Sequence, residues 1–293
     1  MTTISPPSDN LIAFQGSAGA YSDLACRTMF PQRTSLPCAS FEDTFAAVRE
    51  GRARLAMIPV DNTVAGRVAD IHHLLPNGGL YIIDEHFERV NHQLIALPGV
   101  KLEELKTVSS HVHALSQCRK LIRQLKLTPI VHTDTAGSAK ELAETGDRTQ
   151  AVIASSLAAE IYGLNILRSD IEDAEHNTTR FLIMAREPQY APLGNQPVIT
   201  TFLFRVRNIP AALYKALGGF ATNGVNMTKL ESYIGGGFSV AQFYADIEGH
   251  PEQRAVRLAL EELRFFAREV KIFGVYPASP LRLEHRRHWQ SDD

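Results

Sequence analysis

Five short stretches of this chain bring together side chains of complementary chemistry. Gly16-Ser17-Ala18-Gly19-Ala20-Tyr21-Ser22 is a run of small residues leading into a helix start. Its backbone amides can approach a carboxylate, and the helix terminus adds partial positive charge; a plain turn is the equal alternative. Asp61-Asn62-Thr63 sets a carboxylate, an amide and a hydroxyl after an apolar segment, with Gly66 just beyond, a pattern that suits either a ligand or a helix N-cap. The stretch from Ser110 to Cys118 holds His111, His113 and, one helical turn later, Gln117, whose amide serves a ligand or lies in solvent. Thr133-Asp134-Thr135-Ala136 supplies a second carboxylate. In Asn177-Thr178-Thr179-Arg180-Phe181 a hydroxyl sits beside a guanidinium: Thr179 can donate to a leaving oxygen, and Arg180 can clamp a carboxylate or form an internal ion pair.

Other chemistries find less support. The glycine run lacks the three-glycine dinucleotide spacing and has no lysine after a phosphate loop, so neither NAD nor ATP is expected. Cys26, Cys38 and Cys118 are an odd set without paired spacing, which reads as buried thiols rather than disulfides or a zinc site. Cys118 activated by His111 or His113 is the competing nucleophile. The eleven histidines show no metal-protease spacing, and His72 and His73, being sequential, diverge on a helix. A formal charge of -2 lacks the basic stripe that nucleic acid requires. Charges interrupt every apolar run before membrane-spanning length, and the polar start, Met1 to Asn10, has no apolar signal core, so a cytoplasmic location is expected.

These stretches need elements to hold them. The chain has 293 residues, 44% of them hydrophobic and 21% charged, enough for a two-lobed domain and a smaller one. Leu11 to Phe14 reads as a strand turning at Gly16 into a helix from Ser22. Ser40 heads a helix through Phe41, Phe45 and Val48 that stops at Gly51, and Leu55 to Val60 is a strand buried on both faces of a parallel sheet. The alternation returns beyond residue 92: a strand ending at Val108, one helix from His113 to Leu125, strands at Ile130-Val131 and Ala151 to Ala154 around a helix at Ala136 to Ala143, and another helix ended by Gly163. The polar run Ser169 to Thr178 then leads into a buried strand, Phe181 to Met184, crossing back to the first half. Two such lobes form a cleft, and open α/β sheets bind ligands beyond the carboxyl ends of their strands.

The prolines and glycine of Glu187 to Pro197 mark a linker. After it come a strand at Val198 to Val206, a helix opened by Pro210 and running through Phe220, strands at Asn226 to Ile234 and Phe238 to Ile247 around a triple-glycine turn, a helix opened by Pro251, and a last strand at Val270 to Tyr276. That order is βαββαβ, ferredoxin-like. The charged end, with Arg286-Arg287, reads as a solvated tail. The expected divisions are therefore 1–194 (lobe one about 11–90 and 176–186, lobe two about 92–175), 195–281, and a polar tail over 282–293.

Taken together, the five stretches resemble the prephenate dehydratase family from Ile12 to Pro277. Its Thr-Arg-Phe signature stands at Thr179-Arg180-Phe181, its histidine-to-glutamine-cysteine signature at His111 to Cys118, and its glycine turn with Tyr-Ser at Gly16 to Ser22. Its Glu-Asn-Ser motif is altered to Asp61-Asn62-Thr63, which keeps carboxylate, amide and hydroxyl. The βαββαβ segment is similar to the ACT regulatory domain. There Pro210-Ala211-Ala212-Leu213 replaces the usual Gly-Ala-Leu, and Glu231-Ser232-Tyr233-Ile234 lacks the Arg-Pro of Glu-Ser-Arg-Pro. With the first strand near Leu11, a fused chorismate mutase is not expected, and the chain reads as monofunctional.

The resemblance implies a periplasmic-binding-protein-like (type II) two-lobed catalytic domain plus the βαββαβ α+β domain, in a homodimer or homotetramer. It implies conversion of prephenate to phenylpyruvate, water and carbon dioxide in phenylalanine biosynthesis, with arogenate as the rival substrate and a non-catalytic two-lobed binding module as the rival role. Aromatisation drives the reaction, so no redox cofactor or metal is required. Thr179 serves the departing hydroxyl, and Asp61 or Asp134 is the proton source, left open between them. Ser17, Ala20, Tyr21, Ser22, Asn62, Thr63, Gln117, Thr178, Arg180 and Phe181 hold the substrate. A phenylalanine effector would meet Asn208, Pro210, Ala211, Ala212, Leu213, Asn223, Asn226, Glu231 and Ser232.

Overall fold

In the computed structural model, residues 8–174, 176–207, 209–234 and 241–282 are described. Met1 to Pro7, the triple-glycine turn, Phe238 and the Arg286-Arg287 tail therefore lie outside the described residues, as does Asn208. Two compact units make up the chain: residues 1–71 with 86–181, and residues 72–85 with 182–293.

The chain opens with β1 (Leu11–Gln15), α1 (Tyr21–Met29), β2 (Thr34–Cys38), α2 (Phe41–Arg49), β3 (Leu55–Asn62), β4 (Gly66–Arg67), α3 (Ala69–Leu74) and β5 (Tyr81–Arg89). The α2 helix starts where its chemistry dictates: the Ser40 hydroxyl accepts from the Asp43 N–H at 3.1 Å, and Gly51 takes the left-handed φ of 77° just past its end. Then follow β6 (Gln93–Ala96), β7 (Thr107–His111), α4 (Val112–Gln117), α5 (Arg119–Gln124), β8 (Thr128–His132), α6 (Thr135–Thr145), β9 (Gln150–Ala154), α7 (Ser156–Ile161), β10 (Asn165–Arg168) and the returning β11 (Thr178–Ala185).

Two sheets result, one in each lobe. The first has the order β2-β1-β3-β11-β5, with β4 paired to β3; the second has the order β10-β6-β9-β7-β8. Strand β1 is parallel to both neighbours, as is β7, and the uninterrupted apolar runs of β1, β3 and β9 are buried accordingly. The second sheet is mixed, because β6 runs antiparallel to β9 and β10 antiparallel to β6. β5 escapes the sequence pattern because Asp84, Glu85, His86, Glu88 and Arg89 mask its apolar residues.

The single helix expected from His113 to Leu125 is two helices, broken at Cys118 (φ -123°, ψ 28°). The cause lies far along the chain. The Asp173 N–H donates to the Gln117 carbonyl at 2.6 Å, and the Asp173 carboxylate accepts from the N–H groups of Arg119 and Lys120 at 3.0 and 3.2 Å. A remote side chain thus caps α5 and consumes the hydrogen bonds a continuous helix would have made.

The second unit contains β12 (Val198–Val206), α8 (Ala212–Thr222), β13 (Met227–Ile234), β14 (Ala241–Glu248), α9 (Arg254–Phe266) and β15 (Ala267–Pro277) in the sheet order β13-β14-β12-β15, that of a ferredoxin-like fold. Its core stacks Phe202 on Phe220 and Phe204 on Phe243, while α9 buries Val256, Ala259, Leu260 and Leu263 at helical spacing. Both helices begin later than their prolines suggest. Ala211 is left-handed (φ 59°) in a turn closed from Ala212 N–H to the Ile209 carbonyl. At the second helix, His250 and Gln253 staple residues 250–253 into a turn before Arg254.

Ala191, within the expected linker, is buried and donates its N–H to the Val275 carbonyl. Arg282, expected in the solvated tail, is instead packed in the second unit: it grips both oxygens of the buried Glu85 carboxylate, at 2.6 and 2.9 Å, and lies 3.6 Å from the buried Asp246.

Candidate active site

The first lobe presents its chemistry where β3 ends and β11 begins. The Thr63 N–H donates to the Thr178 carbonyl at 3.0 Å, and the Thr63 hydroxyl accepts from the Thr178 N–H at 2.9 Å while donating to the His176 carbonyl. Thr63 therefore pins the two segments together. Asn62 heads a turn rather than a helix: its side-chain oxygen accepts from the N–H groups of Val64 and Ala65 at 2.9 and 2.7 Å. Its amide nitrogen points the other way, 2.9 Å from the Thr179 hydroxyl and 2.7 Å from the Asn177 side-chain oxygen.

Asn177 carries the row into the second lobe. Its Nδ2 donates to Gln117 Oε1 at 2.9 Å, and the same oxygen lies 2.7 Å from His92 Nε2. On its far side His92 Nδ1 is 2.8 Å from the Tyr21 hydroxyl, which also approaches the Asn91 carbonyl at 3.0 Å. Burial depresses the His92 pKa, against the opposing effects of the Gln117 hydrogen bond and the Glu172 charge. Burial likewise raises that of Tyr21 far above its usual range. Gln117, Asn177, His113 and Glu172 line a cavity of about 330 Å³.

The glycine turn joins the lobes. Ser17 donates to Asp134 Oδ2 at 3.1 Å, Tyr162 donates to the Ala18 carbonyl at 2.9 Å, and Ser155 donates to the Gly19 carbonyl. Gly19 has φ +88°, and a Cβ there would stand 2.8 Å from Ala158 Cα, so only glycine allows this approach. Amides expected to collect a ligand are partly committed: the Gly19 N–H donates to the buried Asp23 carboxylate at 2.8 Å and the Ala20 N–H to the Ser17 carbonyl at 3.0 Å. Ser17, Asp134, Thr133, Tyr162 and Lys140 border a second recess of about 560 Å³.

The other expected residues fall as follows. Asp134 is the N-cap of α6, accepting from the Gly137 N–H. Asp61 lies 3.7 Å from the Arg180 guanidinium, and Arg180 is only 5% exposed, so of its two candidate roles the ion pair is the one formed. Phe181 is a core side chain rather than a cleft residue, and Ser22 is also buried. Cys118 is buried, and burial pushes its thiol far up, which opposes the nucleophile reading. Burial depresses the His111 pKa, with His113 adding to the effect. Among the described residues no three His, Cys, Asp or Glu side chains are grouped as a metal site requires.

In the second unit, Pro210, Ala211, Ala212 and Leu213 lead into α8, and Asn223 ends it, donating to the Gly219 carbonyl at 2.8 Å. The Asn226 carbonyl accepts from the Glu248 N–H. On β13, the Glu231 carboxylate takes Lys229 at 2.7 Å and the Tyr233 hydroxyl at 2.6 Å, and Ser232 is exposed.

Sequence reasoning missed His92, Tyr162, Ser155 and Asp173, and it quoted Asn177 without giving it a role. Their partners lie 25 to 144 residues away, where no local spacing can reveal them.

The family model for prephenate dehydratase matches residues 12–189. The chain belongs to the prephenate dehydratase family. Among curated relatives, the bifunctional N-acyl-homoserine lactone acylase/prephenate dehydratase of Komagataeibacter europaeus is 54% identical, over 94% of this chain and 98% of that one. The chloroplastic arogenate dehydratase/prephenate dehydratase 1 of Arabidopsis thaliana is 37% identical, over 92% of this chain and 73% of its own. Among solved structures, the prephenate dehydratase of Arthrobacter aurescens in complex with L-Phe superposes with a TM-score of 0.83 at 28% identity, covering 96% of this chain and 98% of that one. Prephenate dehydratase family membership thus spans both lobes, and the likeness to the Arthrobacter structure extends across the βαββαβ segment as well.

Proposed function

We propose that this chain converts prephenate to phenylpyruvate with loss of carbon dioxide and water, arogenate being the alternative substrate. The observation that carries the reading is the row of hydrogen-bonded groups from both lobes, Thr179, Asn62, Asn177 and Gln117, whose Asn177–Gln117 end lines a cavity. A substrate primed to become aromatic needs to be held still and helped at its departing oxygen, which neutral donors can do. Thr179 acts there as a hydrogen-bond donor, being too weak an acid to give up its proton unaided. Asp61 and Asp134 remain the two carboxylates for proton delivery. Asp134 lies beside Ser17 and the larger recess, where Lys140 supplies a cation for a substrate carboxylate.

The reading rests on the reaction common to the family model and the Komagataeibacter and Arabidopsis relatives; the acylase activity stands in the name of the first alone. Incubation of the purified chain with prephenate and, separately, with arogenate tests it. Phenylpyruvate or phenylalanine should appear, and the faster substrate fixes the preference; no product from either removes the reading. The β13 segment and the start of α8 are the proposed phenylalanine site of an ACT-like regulatory domain. It is supported by the L-Phe complex of the Arthrobacter relative and probed by calorimetry of the full chain with phenylalanine. Absence of binding heat would dismiss it.

A further inference from the structure

The polarity of the amide row follows from one end. The N–H groups of Val64 and Ala65 can only donate, so the Asn62 atom facing them is its oxygen and its Nδ2 must face Asn177 and Thr179. A side-chain NH2 can only donate, so Asn177 turns its oxygen to Asn62 and its own NH2 to Gln117. Gln117 in turn must present Oε1. That oxygen lies 2.7 Å from His92 Nε2, and two acceptors cannot meet at that distance without a hydrogen between them, so Nε2 carries one. At the other terminus Thr179 accepts from Asn62, which leaves its own hydrogen for a ligand.

We propose that His92 is a positioning residue: as the Nε2–H tautomer it locks the Gln117 side-chain oxygen into the row, which turns the Gln117 NH2 to the cavity as a donor for the substrate. The opposite tautomer would set a lone pair against Oε1 and favour the flipped amide, opposing two NH2 groups at Asn177. His92 is 2% exposed and does not line the cavity, so it acts through Gln117. The Tyr21 hydroxyl has one hydrogen and faces two acceptors, the Asn91 carbonyl at 3.0 Å and, in this tautomer, Nδ1 at 2.8 Å, which share it. The proposal rests on the dehydratase reading above.

Three measurements on the full chain test it. With histidine nitrogens labelled, and His92 identified by its absence from the spectrum of His92→Gln, the imidazole shifts at pH 7.5 should show a neutral ring protonated at Nε2. A ring protonated at Nδ1, or charged, overturns the proposal. His92→Phe, which keeps the ring shape but has no donor, should lose about tenfold or more in kcat/KM. His92→Gln, whose NH2 can donate to the same oxygen, should stay within about threefold of the parent. A purely structural histidine would give equal losses in both variants, or none, and either result refutes the proposal. Should His92→Phe fail to fold, the spectrum and the glutamine variant still decide. A parent chain inactive on both substrates would fault the dehydratase reading instead, while the spectrum would continue to judge the tautomer.

Discussion

Thr179 receives a hydrogen bond from Asn62 and keeps its own to give, so the two ends of that hydroxyl have separate duties. Thr179→Ala should lower kcat by roughly a hundredfold with an unchanged melting temperature, the scale of losing one aligned donor. Thr179→Ser, which keeps the oxygen, should recover most of the rate; a fully active alanine variant would exclude the role. His92 makes a separate prediction for stability. Its folded pKa lies below the unfolded value of about 6.5, so the unfolded chain binds more protons and stability falls as pH drops through 6.5 towards the folded pKa. Melting curves from pH 8 to pH 5 should show this slope, partly removed in His92→Gln; His111, shifted the same way, accounts for some of what persists. The legible part of the site was its local part. Asn62, Gln117 and Thr179 stand in recognisable stretches, whereas His92 sits in an unremarkable one and gains its meaning only from Tyr21 and Gln117 across the fold.

At the scale of elements, strands and caps with strong local chemistry were readable: the β12 bounds coincide with the apolar run, and Ser40 caps α2 as its type demands. What escaped was decided by partners remote in sequence. The break at Cys118 exists because Asp173 reaches back from the crossover to cap α5. Asp173→Ala should destabilise the chain by about 1 kcal/mol, the usual worth of a cap. It should also raise amide exchange at Arg119 and Lys120, and unchanged exchange there would show that the cap contributes nothing. The late starts of α8 and α9 have the same origin, since side-chain staples and a left-handed alanine shape the turns before them. β5 stayed hidden because one of its charges, Glu85, is buried and neutralised inside the fold rather than exposed.

At the scale of the molecule, that neutralisation carries weight. Arg282 faces two buried carboxylates in the second unit, Glu85 and Asp246. Replacing it with Met should cost on the order of 3 kcal/mol, because a buried charge loses its partner. Adding Glu85→Gln to Arg282→Met should return part of the loss. Urea midpoints for both variants measure this, and an Arg282→Met chain as stable as its parent would show that the contact is dispensable.

The glycine turn and the amide row share a property with consequences for ligand traffic. Both are built half from each lobe, through Ser17 with Asp134, Gly19 with Ser155, and Asn177 with Gln117. Hydrogen bonds of this kind vanish with an ångström or so of separation. A parting of the lobes by that much would dismantle the donor set, and their return would rebuild it. Where that rebuilding is the slow step, thickening the solvent with sucrose would retard kcat even though no bond of the substrate is affected.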